Sequence, residues 1–179
     1  TAIYGCLQWG FHSFLVVLLT TLAAVVTEYL YQKAMKLPVT ISDWSAAVTG
    51  MILALNCPPN IPYWIPMVGS VFAILVVKQL YGGLGANFMN PALAARCFLL
   101  ISFASQMSSF TGVGPDAVAT ATPLAVLKST PTATPDLFDM FIGRIPGTIG
   151  EVSKICLLLG ALYLIIRKVI SPKMPLIYI

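Results

Sequence analysis

The stretch "VFAILVVKQLYGGLGANFMNPALAARCFLL", residues 71–100, holds an apolar run, three closely spaced glycines and a second apolar run. Glycines relieve backbone strain, and Asn90 followed by Pro91 is a typical helix start. Two apolar helices separated by a glycine-rich break are therefore predicted. Within a membrane such a break is tolerated only where protein buries it or where it lines a cavity. Two interpretations stay open: a tight turn before a capped helix, or a polar ligand site that includes Asn87 and Asn90.

The composition of the whole chain indicates a bilayer environment. Of 179 residues, 58% are hydrophobic and only 9% are charged, whereas about 25% are charged in an ordinary soluble domain. The formal net charge of +4 is small and scattered along the chain, which argues against a nucleic-acid partner. An all-α polytopic membrane protein is the predicted fold class.

The apolar runs predict one transmembrane domain over residues 1–179, with five helical segments. We place them at about residues 11–31, 45–56, 63–80, 91–106 and 151–170. The second segment is shorter than the ~20 residues needed to cross a bilayer, so we expect short and broken helices bundled around the glycine-rich break. The chain starts without Met and ends in a further apolar stretch, so a fragment of a longer protein is expected.

The distribution of Lys and Arg predicts the orientation. Alternating spans place seven of the ten basic residues on one side, namely Lys33, Lys36, Lys78, Arg96, Arg167, Lys168 and Lys173. The remaining three lie in or beside the long loop at residues 108–150. Since cytoplasmic loops are enriched in Lys and Arg, this loop is predicted to be on the outer side.

No cluster of side chains suggests bond-breaking chemistry or a metal site. The four cysteines have no paired spacing, so each is interpreted as a small hydrophobic residue. Glu28 and Lys78 lie near predicted helix ends. Two interpretations remain for them, a topological role at the membrane interface and a part in an ion pathway. Asp43 precedes the short second segment and could cap it. We expect no catalytic and no metal-binding residues.

The tetrapeptide Thr-Ala-Thr-Pro occurs twice in the long loop, ending in Thr122–Pro123 and in Thr134–Pro135. Each second Thr precedes a Pro, so each can be the N-cap of a short helix. The residues alone do not decide whether both Thr residues are helix N-caps, or whether one is an N-cap and the other is the attachment point of a covalent group.

Four ordered segments resemble one known family. They are "DWSAAVTGMILALNCPP", "VFAILVVKQLYGGLGANFMNPALAARCFLL", "DAVATATPL" and "GTIGEVSKICLLLGALYLIIRKVI". Together they cover most of the chain, in the order seen in the RnfD proteins of Rnf electron-transport complexes. The NqrB proteins of the sodium-pumping NADH:quinone reductase are similar but more distant.

The resemblance implies two flavins. One is FMN, joined through a phosphoester to Thr122 on the outer side. The family's attachment motif is Asp-x-x-Ser-Gly-Ala-Thr, and this chain keeps Asp116, Ala121 and Thr122 but has Ala119 and Thr120 in the middle. The second flavin is a non-covalent riboflavin near the glycine-rich break. The implied cofactor-binding residues are Thr122, Asp116, Thr120, Ala121, Pro123, Asn87, Asn90, Gly83 and Gly85.

The same resemblance implies a function. The chain would relay electrons, without catalysing a reaction alone, in a complex that couples ferredoxin:NAD oxidoreduction to movement of Na⁺ or H⁺. Its expected partners are RnfA, RnfB, RnfC, RnfE and RnfG, in the cytoplasmic membrane of a bacterium or archaeon. The expected fold is one part of an inverted repeat similar to urea transporters. A small-solute permease and a structural membrane anchor remain alternatives, and a covalent flavin would exclude both.

Overall fold

The computed structural model describes residues 2–110, 137–143, 147–150, 153–171 and 173. Within these ranges the regular structure is helical and contains no strand. The helices are α1 (Ala2–Trp9), α2 (Phe11–Ala34), α3 (Ser45–Leu55), α4 (Trp64–Phe72), α5 (Pro91–Ser102), α6 (Ala104–Met107), α7 (Leu137–Ile142) and α8 (Lys154–Ile166). A 3₁₀ turn at Ile41–Asp43 precedes α3, and a π-helix at Ala73–Gln79 continues α4.

The helix ends differ from the predicted bounds where the backbone leaves helical geometry. Gly10, with φ of 80°, separates α1 from α2, and the sequence had not indicated α1 as a helix of its own. The segment predicted at 91–106 is interrupted at Phe103, whose φ of −132° and ψ of 48° divide α5 from α6. The last segment, predicted at 151–170, is observed as Lys154–Ile166 within the described residues.

Helix α2 is the long element of the bundle. Its 24 residues have a mean hydropathy of 1.9 in their most apolar window, and among the described helices only α2 is long and apolar enough to cross a membrane. The other apolar helices are shorter, including α3 with 11 residues. Short helices around one long helix agree with the expectation of short and broken elements.

Helices α2 and α3 pack closely because α3 presents small residues to α2. Ala46, Gly50 and Ala54 recur every fourth position and are buried. A Cβ built on Gly50 would lie 2.9 Å from the Cβ of Ala24 and 2.9 Å from the Cα of Thr21. Close backbone approach through small residues is a common way for helices to associate in membranes.

We therefore expect the variant Gly50→Val to lose about 1–3 kcal/mol of stability through overpacking. Thermal unfolding of the detergent-solubilised protein measures this loss. Gly160→Val is the matched control, since Gly160 is also helical and has no heavy atom within 4 Å of its built Cβ. Equal melting temperatures for the two variants would contradict the close α2–α3 contact.

Helices α4 and α5 run antiparallel, which places the glycine-rich break at one end of the bundle. Trp64 and Phe103 meet edge-on, with ring centroids 5.1 Å apart. Nearer the break, Phe72 and Phe98 are stacked with centroids 4.3 Å apart. The core between α3, α4 and α5 includes the buried Leu53, Ile65 and Leu99. This packing brings the end of the π-helix and the start of α5 to the same level.

Candidate functional site

A buried ion pair joins α2 to the π-helix. Lys78 Nζ donates to Glu28 Oε1 at 2.8 Å and to Oε2 at 3.0 Å. Both residues are only 1% exposed. Sequence reasoning placed the two residues near helix ends but did not pair them, because their separation of fifty positions gives no local signal. Lys78 lies in the π-helix Ala73–Gln79, and π-helical segments are rare and are frequently found at functional sites.

Amides and a hydroxyl complete the hydrogen bonding of this pair. Gln79 Nε2 donates to Glu28 Oε1 at 2.7 Å, and Gln32 Nε2 donates to the same oxygen at 3.3 Å. Lys78 Nζ also donates to Ser45 Oγ at 2.5 Å. Buried charges are tolerated when they are paired and hydrogen-bonded in this way. Sequence reasoning missed Gln32, although its spacing of four from Glu28 places both on one helix face.

A polar cavity of about 300 Å³ adjoins the buried pair. Its wall is formed by Glu28, Gln32, Leu37, Pro38, Thr40, Asp43, Gln79, Gly82, Gly83 and Leu84. Gln32 holds one side of the wall in place, because its Nε2 donates to Thr40 Oγ1 at 2.8 Å and its Oε1 accepts from Thr40 N at 3.0 Å. The cavity therefore lies between the end of α2, the 3₁₀ turn and the glycine-rich break.

Asp43 holds the start of α3 beside this cavity. Its Oδ1 accepts from Ser45 N at 2.8 Å and from Ser45 Oγ at 2.7 Å. Burial raises the pKa of Asp43, but the two hydrogen bonds from Ser45 and the charge of Lys78 together outweigh burial, so the net pKa lies below the usual range. This carboxylate is therefore ionised at neutral pH, which keeps a negative charge at the cavity.

The glycine-rich break is held by its own backbone and by two asparagines. Gly83 has φ of 91° and Gly85 has φ of 89°, conformations that favour glycine. In the amide orientation that suits its surroundings, Asn87 donates to the carbonyl oxygens of Gly83 at 3.1 Å and Val77 at 3.3 Å. Asn90 is the N-cap of α5, and its Oδ1 accepts from Ala92 N at 3.0 Å. Both predicted ligand-binding asparagines thus have local structural partners, and ligand contact stays a prediction.

A separate, mainly apolar groove of about 640 Å³ opens beside the break. Its lining consists of Phe72, Val76, Val77, Tyr81, Phe88, Met89, Asn90, Leu93, Ala94, Cys97, Phe98 and Ile101. The rings of Tyr81 and Phe88 lie 4.8 Å apart at its edge. Asn90 lines this groove, whereas Asn87 is turned toward the backbone of the break. Ligand pockets are commonly of this size and apolar, with few polar groups.

Two of the basic residues counted for the predicted orientation make contacts inside the bundle. Lys78 is enclosed in the ion pair, and Arg96 Nη1 donates to Asn56 Oδ1 at 2.8 Å. Both side chains therefore have partners within the protein, which the count of basic residues did not consider. If these two are left out, five of the seven residues counted above remain, against three basic residues at the long loop, and the orientation stays a prediction.

The residues predicted for covalent flavin attachment lie outside the described residues. They are Asp116, Thr120, Ala121, Thr122 and Pro123. The described part of the predicted site, Gly83, Gly85, Asn87 and Asn90, is brought together at the break between the polar cavity and the apolar groove.

Comparison with known proteins gives a consistent result along the whole chain. The NQR2, RnfD, RnfE family matches residues 1–179. The D-type subunit of the Na⁺-translocating ferredoxin:NAD⁺ oxidoreductase complex of Acetobacterium woodii is 49% identical over 96% of this chain and 55% of its own length. Its counterpart in the proton-translocating complex of Clostridium ljungdahlii is 40% identical, over 99% and 57%. The counterpart in the ion-translocating oxidoreductase complex of Rhodobacter capsulatus is 32% identical, over 97% and 58%.

The chain spans a little over half the length of these relatives. A match over the full chain, together with identities of 32–49% to three subunits of the same type, settles its classification. The chain belongs to the NQR2, RnfD, RnfE family.

Proposed function

We propose that the chain is part of the membrane subunit of an Rnf-type complex, which couples ferredoxin:NAD oxidoreduction to translocation of Na⁺ or H⁺. The observation that carries this proposal is the 49% identity over 96% of the chain to the D-type subunit of a Na⁺-translocating complex. The protein is not catalytic alone, and its partners would be RnfA, RnfB, RnfC, RnfE and RnfG.

In this proposal the electron relay uses FMN on Thr122 and a non-covalent riboflavin near the break. The flavins supply the redox chemistry, and the chain's residues hold and orient them. The support for the FMN is the motif at Asp116, Ala121 and Thr122. We expect the intact mass of the purified full-length protein to exceed the mass calculated from its sequence by one FMN minus one water. A colourless protein of unmodified mass would instead favour a permease or a membrane anchor.

The apolar groove suits a flavin ring better than the polar cavity does. Its volume is about 640 Å³, and its lining includes the four aromatic rings of Phe72, Tyr81, Phe88 and Phe98. Asn90 adds one polar group to this lining. Aromatic side chains favour stacked or edge-on contacts with a flat ring system. Asn90 would orient the flavin, while Asn87 would keep Gly83 and the break in shape.

Filling the groove should therefore displace the non-covalent flavin. The variant Cys97→Phe places a ring among the lining residues and should reduce riboflavin in acid extracts by about tenfold, a loss of about 1.4 kcal/mol of binding free energy. Cys156→Phe makes the same change on α8, away from the groove, and should retain riboflavin.

Replacement of both Asn87 and Asn90 with Leu should also remove riboflavin and keep covalent FMN. If the riboflavin content is unchanged in Cys97→Phe and in the double Asn variant, the flavin site is wrong, and the glycine-rich break is only a tight turn followed by a capped helix.

The proposed location is the cytoplasmic membrane of a bacterium or archaeon, with residues 108–150 on the outer side and the chain forming one part of an inverted repeat. The five remaining basic residues support this orientation, since Lys and Arg are enriched in cytoplasmic loops. In a background without native cysteines, Ser129→Cys should react with a membrane-impermeant maleimide in intact cells. If labelling occurs only after lysis, the loop at residues 108–150 is on the cytoplasmic side and the predicted orientation is wrong.

A further inference from the structure

The π-helix contributes to both the buried ion pair and the apolar groove. Lys78 and Gln79 both donate to Glu28 of α2. Val76 and Val77, which directly precede them, line the groove. Two sites that are separate in the proposed function therefore share one short stretch of backbone.

The π-helical hydrogen bonding explains how two consecutive side chains reach the same carboxylate. Leu80 N donates to Leu75 O at 3.1 Å, which closes a turn one residue wider than an α-turn. In an α-helix, neighbouring side chains point about 100° apart, because a turn holds 3.6 residues. The wider π-turn reduces this angle, so that Lys78 and Gln79 can face α2 together, and both are buried.

The wide turn is held from outside the π-helix. Glu28 Oε1 accepts from Lys78 Nζ at 2.8 Å and from Gln79 Nε2 at 2.7 Å. Because π-turns are rare and α-helical geometry is the usual one for an apolar run, we expect the segment to relax toward α-helical spacing when this anchor is weakened. Such a relaxation would rotate the side chain of Val77 in the groove wall.

We propose that the hydrogen bonds from Lys78 and Gln79 to Glu28 hold the π-helix in the geometry that shapes the apolar groove, and that Gln79 is a positioning residue for the flat ring bound there. The inference rests on the proposed function for the identity of that ring, riboflavin. Gln79 lines the polar cavity and not the groove, so it acts through the backbone of the π-helix.

The first test is riboflavin binding to the full-length protein in detergent, measured by equilibrium dialysis after non-covalent flavin is removed. Gln79→Leu should raise the dissociation constant by about tenfold, equivalent to about 1.4 kcal/mol. Gln32→Leu is the matched control, because it removes an amide that donates to the same Glu28 oxygen from α2 instead of the π-helix. It should stay within about twofold of the wild type. Equal losses in the two variants would overturn the inference.

Exchange of the two partners tests whether their hydrogen bond is the cause. The double variant Glu28→Gln with Gln79→Glu keeps an amide–carboxylate pair at these positions and one negative charge beside Lys78. It should restore riboflavin binding to within about twofold of the wild type. Binding that stays as weak as in Gln79→Leu would show that this hydrogen bond does not position the ring.

A third measurement needs no flavin. Cys97 lines the groove and is exposed, so its rate of alkylation by N-ethylmaleimide, in protein without the other three cysteines, reports the shape of the groove. Gln79→Leu should change this rate by about threefold or more, whereas Gln32→Leu should not. An unchanged rate in Gln79→Leu would overturn the inference. A changed rate in a protein that binds no riboflavin would support the inference and defeat only the assignment of riboflavin to the groove.

Discussion

Replacement of Lys78 by Met is expected to destabilise the protein by about 3–5 kcal/mol, because it leaves Glu28 as an unpaired buried charge. The carboxylate is 1% exposed and has no other cation within salt-bridge distance among the described residues. Its remaining donors, Gln32 and Gln79, are neutral amides. Chemical or thermal unfolding of the solubilised protein measures the loss.

The double variant Glu28→Gln with Lys78→Met should recover most of that stability. Gln at position 28 is neutral and keeps an oxygen that can accept from Gln79, so the buried charge is removed and one hydrogen bond is retained. A double-mutant cycle with the two single variants gives the coupling between the pair. Additive losses, with no recovery in the double variant, would show that the pair contributes little beyond its separate side chains.

Features of the fold that depend on local sequence could be predicted, whereas features that depend on contacts between distant residues could not. Asn90 and Pro91 fix the start of α5 through local backbone geometry, so the residues alone predicted it. The helix break at Phe103 depends on a backbone conformation that no glycine or proline marks in the sequence. The contact between Glu28 and Lys78 depends on the packing of α2 against the π-helix, and no local spacing encodes it.

The candidate site divides in a similar way. Asn87 and Asn90 stood out because polar residues beside glycines are conspicuous in an apolar chain. Gln79 did not, since one amide at the end of an apolar run is ordinary until its partner is known. Arg96 was counted only as a basic residue on the cytoplasmic side, and its hydrogen bond to Asn56, forty positions earlier, has no local signal in the sequence. Contacts between distant positions, more than local pattern, define the polar cavity.

The largest expected effect concerns the two Thr-Ala-Thr-Pro copies, which differ in their surrounding charge. Thr122 is followed by the neutral residues "PLAVL", and Asp116 stands six positions before it, as the flavin-attachment motif requires. Thr134 is followed by Asp136 and Asp139, and Lys128 stands six positions before it. A phosphodiester at Thr134 would be repelled by the two carboxylates, whereas nothing in the sequence close to Thr122 opposes it.

Thr122→Val should therefore abolish the flavin fluorescence that survives SDS denaturation, since the side chain loses the oxygen that forms the phosphoester. Thr134→Val is the matched control, because it makes the same substitution in the same tetrapeptide and should leave the fluorescence intact. Both variants should reach the membrane at wild-type levels by immunoblot, which excludes loss of the protein as the cause. Fluorescence that disappears only in Thr134→Val, or that survives both substitutions, would show that Thr122 is not the attachment site. Loss in Thr122→Val alone would assign the covalent cofactor to the first copy of the tetrapeptide.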